Sequence, residues 1–351
     1  MKVLVLAGGR SAERDVSLAT GAAVCAALTE TGYDVMVLDP AVSSRALDWS
    51  PDVLTARIGV TPPEDEDESP IVADHVSTLT PADLAPAGVG DVDLVFIALH
   101  GGDGEDGHVQ ALLDAAGVAY VGSGMLASAL AMDKNAAKRI FIAEGIPTPN
   151  WRVADRGEIV SYQESVVALG LPLVVKPNAQ GSTVGLSIVK AESGWEPALA
   201  EAFRWDRRLL VEEFIPGREL TVAILAGEAL PVIEIKPSHG IYDYECKYTS
   251  GRTDYICPAE LTPKQTRAIQ EQAVSAFRAL GCRDYARVDF RMRDDGPLYC
   301  LEVNTLPGMT RTSLVPKAAR AAGIEFPQLM RRLCDSAMRH QSRTTAAKVS
   351  A

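Results

Sequence analysis

The residues of this chain whose types and spacing most directly suggest chemistry lie between Asp284 and Asn304, where acids, arginines and an asparagine alternate with apolar residues. Read as a hairpin turning through Asp294-Asp295-Gly296-Pro297, the segment opposes Arg293 to Leu298, Asp289 to Glu302 and Arg287 to Asn304. Period-two alternation then puts Arg287, Asp289, Glu302 and Asn304 on one face. Opposed carboxylates stand about 5 Å apart at Cβ, and a hard divalent cation between them relieves their repulsion. Asp289, Glu302 and Asn304 are therefore a candidate oxygen-only magnesium site. The competing reading is a solvated strand face on which Arg287 simply pairs with a carboxylate.

Three glycine-rich segments could bind ligands. Lys176-Pro177-Asn178-Ala179-Gln180-Gly181-Ser182-Thr183-Val184-Gly185 joins two strand-like runs. Backbone N–H groups in such a loop can approach phosphate oxygens, and Lys176 can supply a point charge from the strand end. The segment is not a Walker sequence, which needs Gly-Lys-Ser/Thr opening a helix, and taken alone it is more commonly a plain hairpin turn. Gly8-Gly9-Arg10-Ser11-Ala12-Glu13 lacks GxGxxG spacing, which disfavours a nicotinamide cofactor with Asp39 on its ribose. Glu13 reads either as a ligand carboxylate or as an acid favoured by a helix N-terminus. His100-Gly101-Gly102-Asp103-Gly104-Glu105-Asp106-Gly107 follows a buried strand, where α/β sheets place their ligands.

The elements that must hold these loops can be read from apolar periodicity. A strand at residues 2–7, a helix from Val16 to Gly32 and a strand from Asp34 to Leu38 make a β-loop-α-β opening. From Ser43 to Asp91 the chain is rich in Pro, Ala and acids and reads as a loop-rich insertion. Beyond a strand at Leu94 to Leu99 and a helix from Asn135 to Gly145, the pattern becomes mixed α+β. Strands are expected at Pro172–Pro177, Gly185–Lys190, Leu209–Phe214, Glu219–Leu225 and Leu230–Lys236, with a hairpin at Gly227-Glu228. Pro237 to Pro258 reads as a long polar loop of the kind that covers a site. Helices are expected at Trp195–Arg204, Pro263–Leu280 and from Leu314 and Phe326, with fraying after Arg339.

Composition narrows the function classes. Across 351 residues, 34 Lys+Arg stand against 46 Asp+Glu, a net charge of -12 that argues against nucleic acid or an anionic membrane as the main partner. No apolar run is long enough to span a bilayer, and the expected location is cytoplasmic. The six cysteines contain no CxxC pair and the five histidines lack i, i+4 spacing, so any metal is expected on oxygen ligands.

Taken in order, Gly8 to Leu18, His100 to Gly107, Met132-Asp133-Lys134, Lys176 to Gly185, Tyr242-Asp243-Tyr244-Glu245-Cys246-Lys247-Tyr248, Glu302 to Thr310 and Ser313-Leu314-Val315-Pro316 closely resemble the D-alanine–D-alanine ligase family of the ATP-grasp superfamily. The match spans nearly the whole chain. It implies an α/β and α+β protein: an N-terminal Rossmann-like substrate domain (1–123) followed by a two-lobed ATP-grasp fold. Its central lobe would be 124–212, and its C-terminal lobe, with the metal site and lid, 213–351. The implied reaction is ATP-dependent joining of two D-alanines through an acyl phosphate, for peptidoglycan precursors. ATP and two Mg²⁺ are implied, with Mn²⁺ as a substitute, and so is a homodimer acting on small-molecule substrates.

Residue roles follow from the same resemblance. Asp289, Glu302 and Asn304 match the metal ligands. Lys134, Lys176 and Lys247 match the phosphate-binding lysines, Glu212 the adenine-binding stretch, and Glu219 the ribose carboxylate. Glu13 would hold the ammonium of the first D-alanine with His100 nearby, and Ser313 the carboxylate of the second, bordered by Leu314. Arg287 and the N–H of Gly308 would support the oxyanion, and Tyr248 would latch the lid to Ser182 and Glu13. Thr183 stands where a second Ser is common, Cys246 replaces a small residue, and the insertion before Asp91 is long. The alternatives are a ligase with another acceptor (D-lactate, D-serine or another amino acid) and a nucleotide-binding protein without catalysis; retention of the metal ligands and lysines argues against the latter.

Overall fold

Short apolar runs closed by glycine form the first sheet. In this computed structural model the described residues are 1–11, 13–42, 46–51, 53–54, 91–237 and 252–349, with side chains described to residue 341. Strands β1 (Lys2–Leu6), β2 (Asp34–Leu38), β3 (Leu47–Asp48), β4 (Leu94–Ile97) and β5 (Tyr120–Val121) lie in the order β3-β2-β1-β4-β5. All neighbours are parallel except β2 and β3. Helices α1 (Arg14–Glu30) and α2 (His108–Ala116) make the crossovers. The strand order reverses between β1 and β4, so the loops leaving their carboxyl ends flank the crevice where such sheets bind ligands.

The chain continues through α3 (Met125–Met132), α4 (Lys134–Ala143), β6 (Trp151–Asp155), α5 (Tyr162–Leu169), β7 (Leu173–Pro177), β8 (Ser187–Val189), α6 (Trp195–Trp205) and β9 (Arg208–Glu213). Its four strands form an antiparallel sheet, β6-β9-β7-β8. The third sheet has six strands: β10 (Arg218–Leu225), β11 (Glu228–Ala229), β12 (Ile233–Pro237), β13 (Thr253–Ile256), β14 (Tyr285–Met292) and β15 (Leu298–Asn304). Helix α7 (Pro263–Ala279) precedes β14, started by a Thr262–Gln265 capping box with proline in its first turn. Helices α8 (Leu314–Ala321) and α9 (Phe326–Val349) end the fold.

Packing ties distant segments together. Val315, Ala318, Leu329, Met330 and Leu333 of α8 and α9 share one core with β1 and β4. Ala137 and Phe141 of α4 join the core beneath the third sheet, with Val288, Phe290 and Phe277. At its start, α4 is held by the second sheet: the Lys134 N–H donates to the Asn178 carbonyl (3.2 Å), and Trp151 Nε1 donates to Asn135 Oδ1 (3.0 Å). One helix thus spans the space between the two antiparallel sheets.

Some expectations change. The polar loop from Pro237 contains strand β13, paired with β12, while residues 238–251 lie outside the described residues, as do 55–90 of the insertion. Helix α9 runs to Val349 instead of fraying after Arg339. The β14–β15 turn starts a residue early, pairing Met292 with Leu298. The Arg293 carbonyl accepts the Gly296 N–H (2.9 Å), so it faces into the turn and not along the ladder. A bulge after Asp289 reverses the slip, so Asp289 still opposes Glu302, and Arg287 opposes Asn304.

Candidate active site

The crevice of the first sheet is shaped by Asp39. Its carboxylate accepts the N–H groups of Gly9 (3.1 Å) and Ala41 (3.0 Å) and pairs with Arg14. Gly8 has φ +86°, and a Cβ there would lie 2.4 Å from the Asp39 carboxylate, so only glycine fits. The pinned loop brings Glu13 to the N-cap of α1, where its side chain accepts no hydrogen bond from the helix. Instead its carboxylate accepts the Ser182 hydroxyl from the β7–β8 loop. A Cβ on Gly101 or Gly181 would stand 3.0 or 3.1 Å from Glu13 Oε2, so both glycines leave room around this carboxylate. Ser182 (φ 49°) and Thr183 (φ 65°) are left-handed without being glycine, backbone strain of the kind that collects at ligand-binding loops.

His100 is buried behind this loop, with Nε2 2.9 Å from Thr20 Oγ1 and Nδ1 3.4 Å from Glu105 Oε1. Across the crevice, Gly308 packs near Ser313, the N-cap residue of α8. The Ser313 hydroxyl does not cap the helix; it accepts the Thr310 N–H (3.1 Å) and lies 2.7 Å from Thr310 Oγ1.

On the third sheet, Arg287 meets Asp289 in a forked pair, Nε to Oδ1 at 2.9 Å and one Nη to Oδ2 at 2.8 Å. Thr221 donates to Asp289 Oδ1 (2.6 Å). Glu302 lies 3.4 Å from Lys134 Nζ, and Asn304 Oδ1 accepts the Leu306 N–H (3.0 Å). The pairing of Arg287 with a carboxylate, expected for a plain strand face, is thus present together with the opposed acids. Asp289, Glu302 and Asn304 offer only oxygen donors and sit half-buried on one face, a donor set that fits a hard cation.

A second cluster lies where α4 meets the central sheet. Asp133 caps α4 by accepting the Ala136 N–H (2.8 Å), which makes Lys134 the first helical residue; its Nζ donates to the Gln180 carbonyl (2.6 Å). Lys176, at the end of β7, lies 2.8 Å from Glu212 Oε2 on neighbouring β9. Lys138, a turn after Lys134, lies 3.1 Å from Glu212 Oε1. Burial alone would raise the Glu212 carboxyl, but Lys138 and Lys176 outweigh it and hold it below the usual carboxylate range. Burial pushes the Lys138 ammonium down, partly offset by Glu212. Glu219 pairs with Arg291 (3.2 Å) across β10 and β14.

A cavity of about 310 Å³ gathers Glu13, His100, Ser182, Arg287, Glu302, Asn304, Gly308, Ser313 and Leu314 on its wall. Asp289 stands behind Arg287, while Lys134, Lys176, Glu212 and Glu219 are off this wall. Lys247 and Tyr248 lie outside the described residues. Sequence reasoning missed Glu105, Tyr255 and Thr310, which also line the cavity, and Thr20 and Lys138. Lys138 left one signal, since Lys134, Lys138 and Phe141 share a helical stripe on which a lysine is out of place.

Comparison with known proteins identifies the family. The family model described as D-ala D-ala ligase N-terminus matches residues 2–123, and D-ala D-ala ligase C-terminus matches residues 140–335. A D-alanine–D-alanine ligase from Syntrophotalea carbinolica is 45% identical over 332 residues, covering 95% of this chain and 94% of that protein. One from Pelotomaculum thermopropionicum is 45% identical over 349 residues, covering 96% and 97%. The crystal structure of the Bacillus anthracis D-alanine–D-alanine ligase complexed with ATP superposes with a TM-score of 0.77 at 32% identity, covering 98% of this chain and 99% of that one. With both family halves matched in order and near-complete coverage by such relatives, the chain belongs to the D-alanine–D-alanine ligase family.

Proposed function

We propose that this chain joins two D-alanines into D-alanyl-D-alanine with conversion of ATP to ADP and phosphate, supplying peptidoglycan precursors in the cytoplasm. The observation that carries the reading is the single cavity in which the Glu13 carboxylate, the Arg287 guanidinium and the Gly308–Ser313 turn converge from three parts of the chain. Glu13 holds the ammonium of the first D-alanine, so that the substrate's own carboxylate faces the phosphates. That carboxylate attacks the γ-phosphorus, ADP leaves, and an acyl phosphate forms. The amine of the second D-alanine, held by its carboxylate at Ser313, then attacks the acyl carbon. Negative charge gathers on the carbonyl oxygen, where Arg287 and the Gly308 N–H meet it, and phosphate departs as the amide forms.

Lys134 and Lys176 neutralise the phosphates from the side of the second cluster, and Glu219 serves the ribose. Asp289, Glu302 and Asn304 would hold two Mg²⁺, which supply charge neutralisation along the phosphates. By the family resemblance, Lys247 would add a phosphate contact and Tyr248 would help keep water from the acyl phosphate. Among the described residues no helix is long and apolar enough to cross a membrane. The protein works as a homodimer. Incubation with ATP, Mg²⁺ and single D- or L-amino acids, reading phosphate and dipeptide together, tests the reading. D-alanine should give both products in equal amounts. Equal use of L-alanine, or phosphate without dipeptide, would refute it.

A further inference from the structure

Lys138 is a fully buried charged side chain, with no exposed surface. It leaves α4 beside the Trp151 ring, 5.1 Å from the ring centroid, and its ammonium donates to Thr148 Oγ1 at 2.8 Å. The Glu212 carboxylate is divided between two lysines: Oε1 lies 3.1 Å from Lys138 and Oε2 lies 2.8 Å from Lys176. Among the described residues neither lysine pairs with a second carboxylate. A Lys176–Glu212 pair alone would be neutral, and a lysine cancelled by a buried carboxylate has little charge left for a phosphate. With Lys138 added, the cluster carries one net positive charge where water screens it weakly. Such an excess is costly in a folded protein unless an anion balances it.

We propose that Lys138 is a positioning residue: by engaging half of the Glu212 carboxylate, it keeps Lys176 electropositive toward the phosphates of the nucleotide. The proposal rests on the reading of Lys176 as a phosphate-binding lysine. Lys138, enclosed by Thr148 and Trp151, acts through Glu212 and not on the nucleotide itself.

Calorimetric titration with ATP (in Mg²⁺) and with adenosine separates charge from packing, because adenosine carries no phosphate. Lys138→Met should weaken ATP at least tenfold and leave adenosine within twofold of the wild type. Adding Glu212→Gln to Lys138→Met leaves Lys176 as the only charge of the three. The ratio of ATP to adenosine affinity should then return to within threefold of the wild-type ratio, whatever Glu212 does for adenine. The double variant removes a buried charge together with its partner, so it decides the matter if the single variant does not fold. Equal losses for ATP and adenosine in Lys138→Met, or a ratio that stays low in the double variant, would overturn the proposal. A wild-type protein that binds adenosine as tightly as ATP would instead refute the phosphate-binding reading of Lys176.

Discussion

Replacing Glu13 by glutamine isolates one charge in the substrate cavity. Glutamine has the same shape and retains a carbonyl oxygen, so it can still accept the Ser182 hydroxyl and hold the β7–β8 loop. The close approach of Gly101 and Gly181 leaves the same space for an amide as for a carboxylate. What disappears is the negative charge facing a substrate ammonium. A hydrogen bond to a charged group contributes about 1.5–3 kcal/mol, which at 1.4 kcal/mol per decade corresponds to a rise of roughly 10- to 150-fold in the apparent KM for the first D-alanine. The KM for ATP should stay within about twofold, since the charge removed is the one proposed to face the amino-acid ammonium and not the nucleotide. Stability should hardly move. The Glu13 side chain makes no capping bond to α1, and its interaction with the helix dipole contributes about 0.3–1 kcal/mol. The assay is ADP release against D-alanine concentration at saturating ATP, alongside a thermal melt. An unchanged KM for D-alanine with a Tm several degrees lower would show Glu13 to be a helix-start residue and refute the reasoning.

Three further outcomes are expected. Glu302→Gln should lower turnover by ~100-fold or more and raise the Mg²⁺ concentration needed for half-maximal rate; near-normal Mg²⁺ dependence would remove Glu302 from the metal site. Tyr248→Ala should release more than one phosphate per dipeptide, because water then competes for the acyl phosphate, and a strict one-to-one ratio would end the latch reading. Asp284 is buried at φ 57° with Oδ2 accepting the Gly122 N–H (3.0 Å), and burial raises its carboxyl above the usual range. The folded state therefore binds this proton more tightly than the unfolded state. Its contribution to stability is full below the unfolded pKa and is lost as pH rises through the folded one. Asp284→Asn keeps the acceptor and suits a left-handed backbone, so denaturant titration should find it at least as stable as the wild type at pH 7. Its advantage should shrink as pH falls into the ordinary carboxylate range; a pH-independent difference would contradict this account.

Much of the site was legible locally. The opposition of Asp289 to Glu302 follows from alternation along two strands. Asp133 before Lys134 forms a helix cap with residues next to it in sequence, whereas Gly101 and Gly181 lie far from Glu13 along the chain and meet it only in the fold. Yet the hairpin register was reached by a compensation no local rule contains, a shortened ladder at the turn cancelled by a bulge after Asp289. The sequence by itself determined most of the longer strands, the glycine loops and the family to which their order belongs. Tertiary structure decided that α9 packs on the first sheet, that Asp39 serves the Gly8–Gly9 loop instead of a ribose, and that Lys138 is a buried partner of Glu212. These outcomes depend on contacts between residues tens to hundreds of positions apart. A lysine's charge reads the same in sequence whether water or a carboxylate balances it, and only the folded chain brings Glu212 to Lys138.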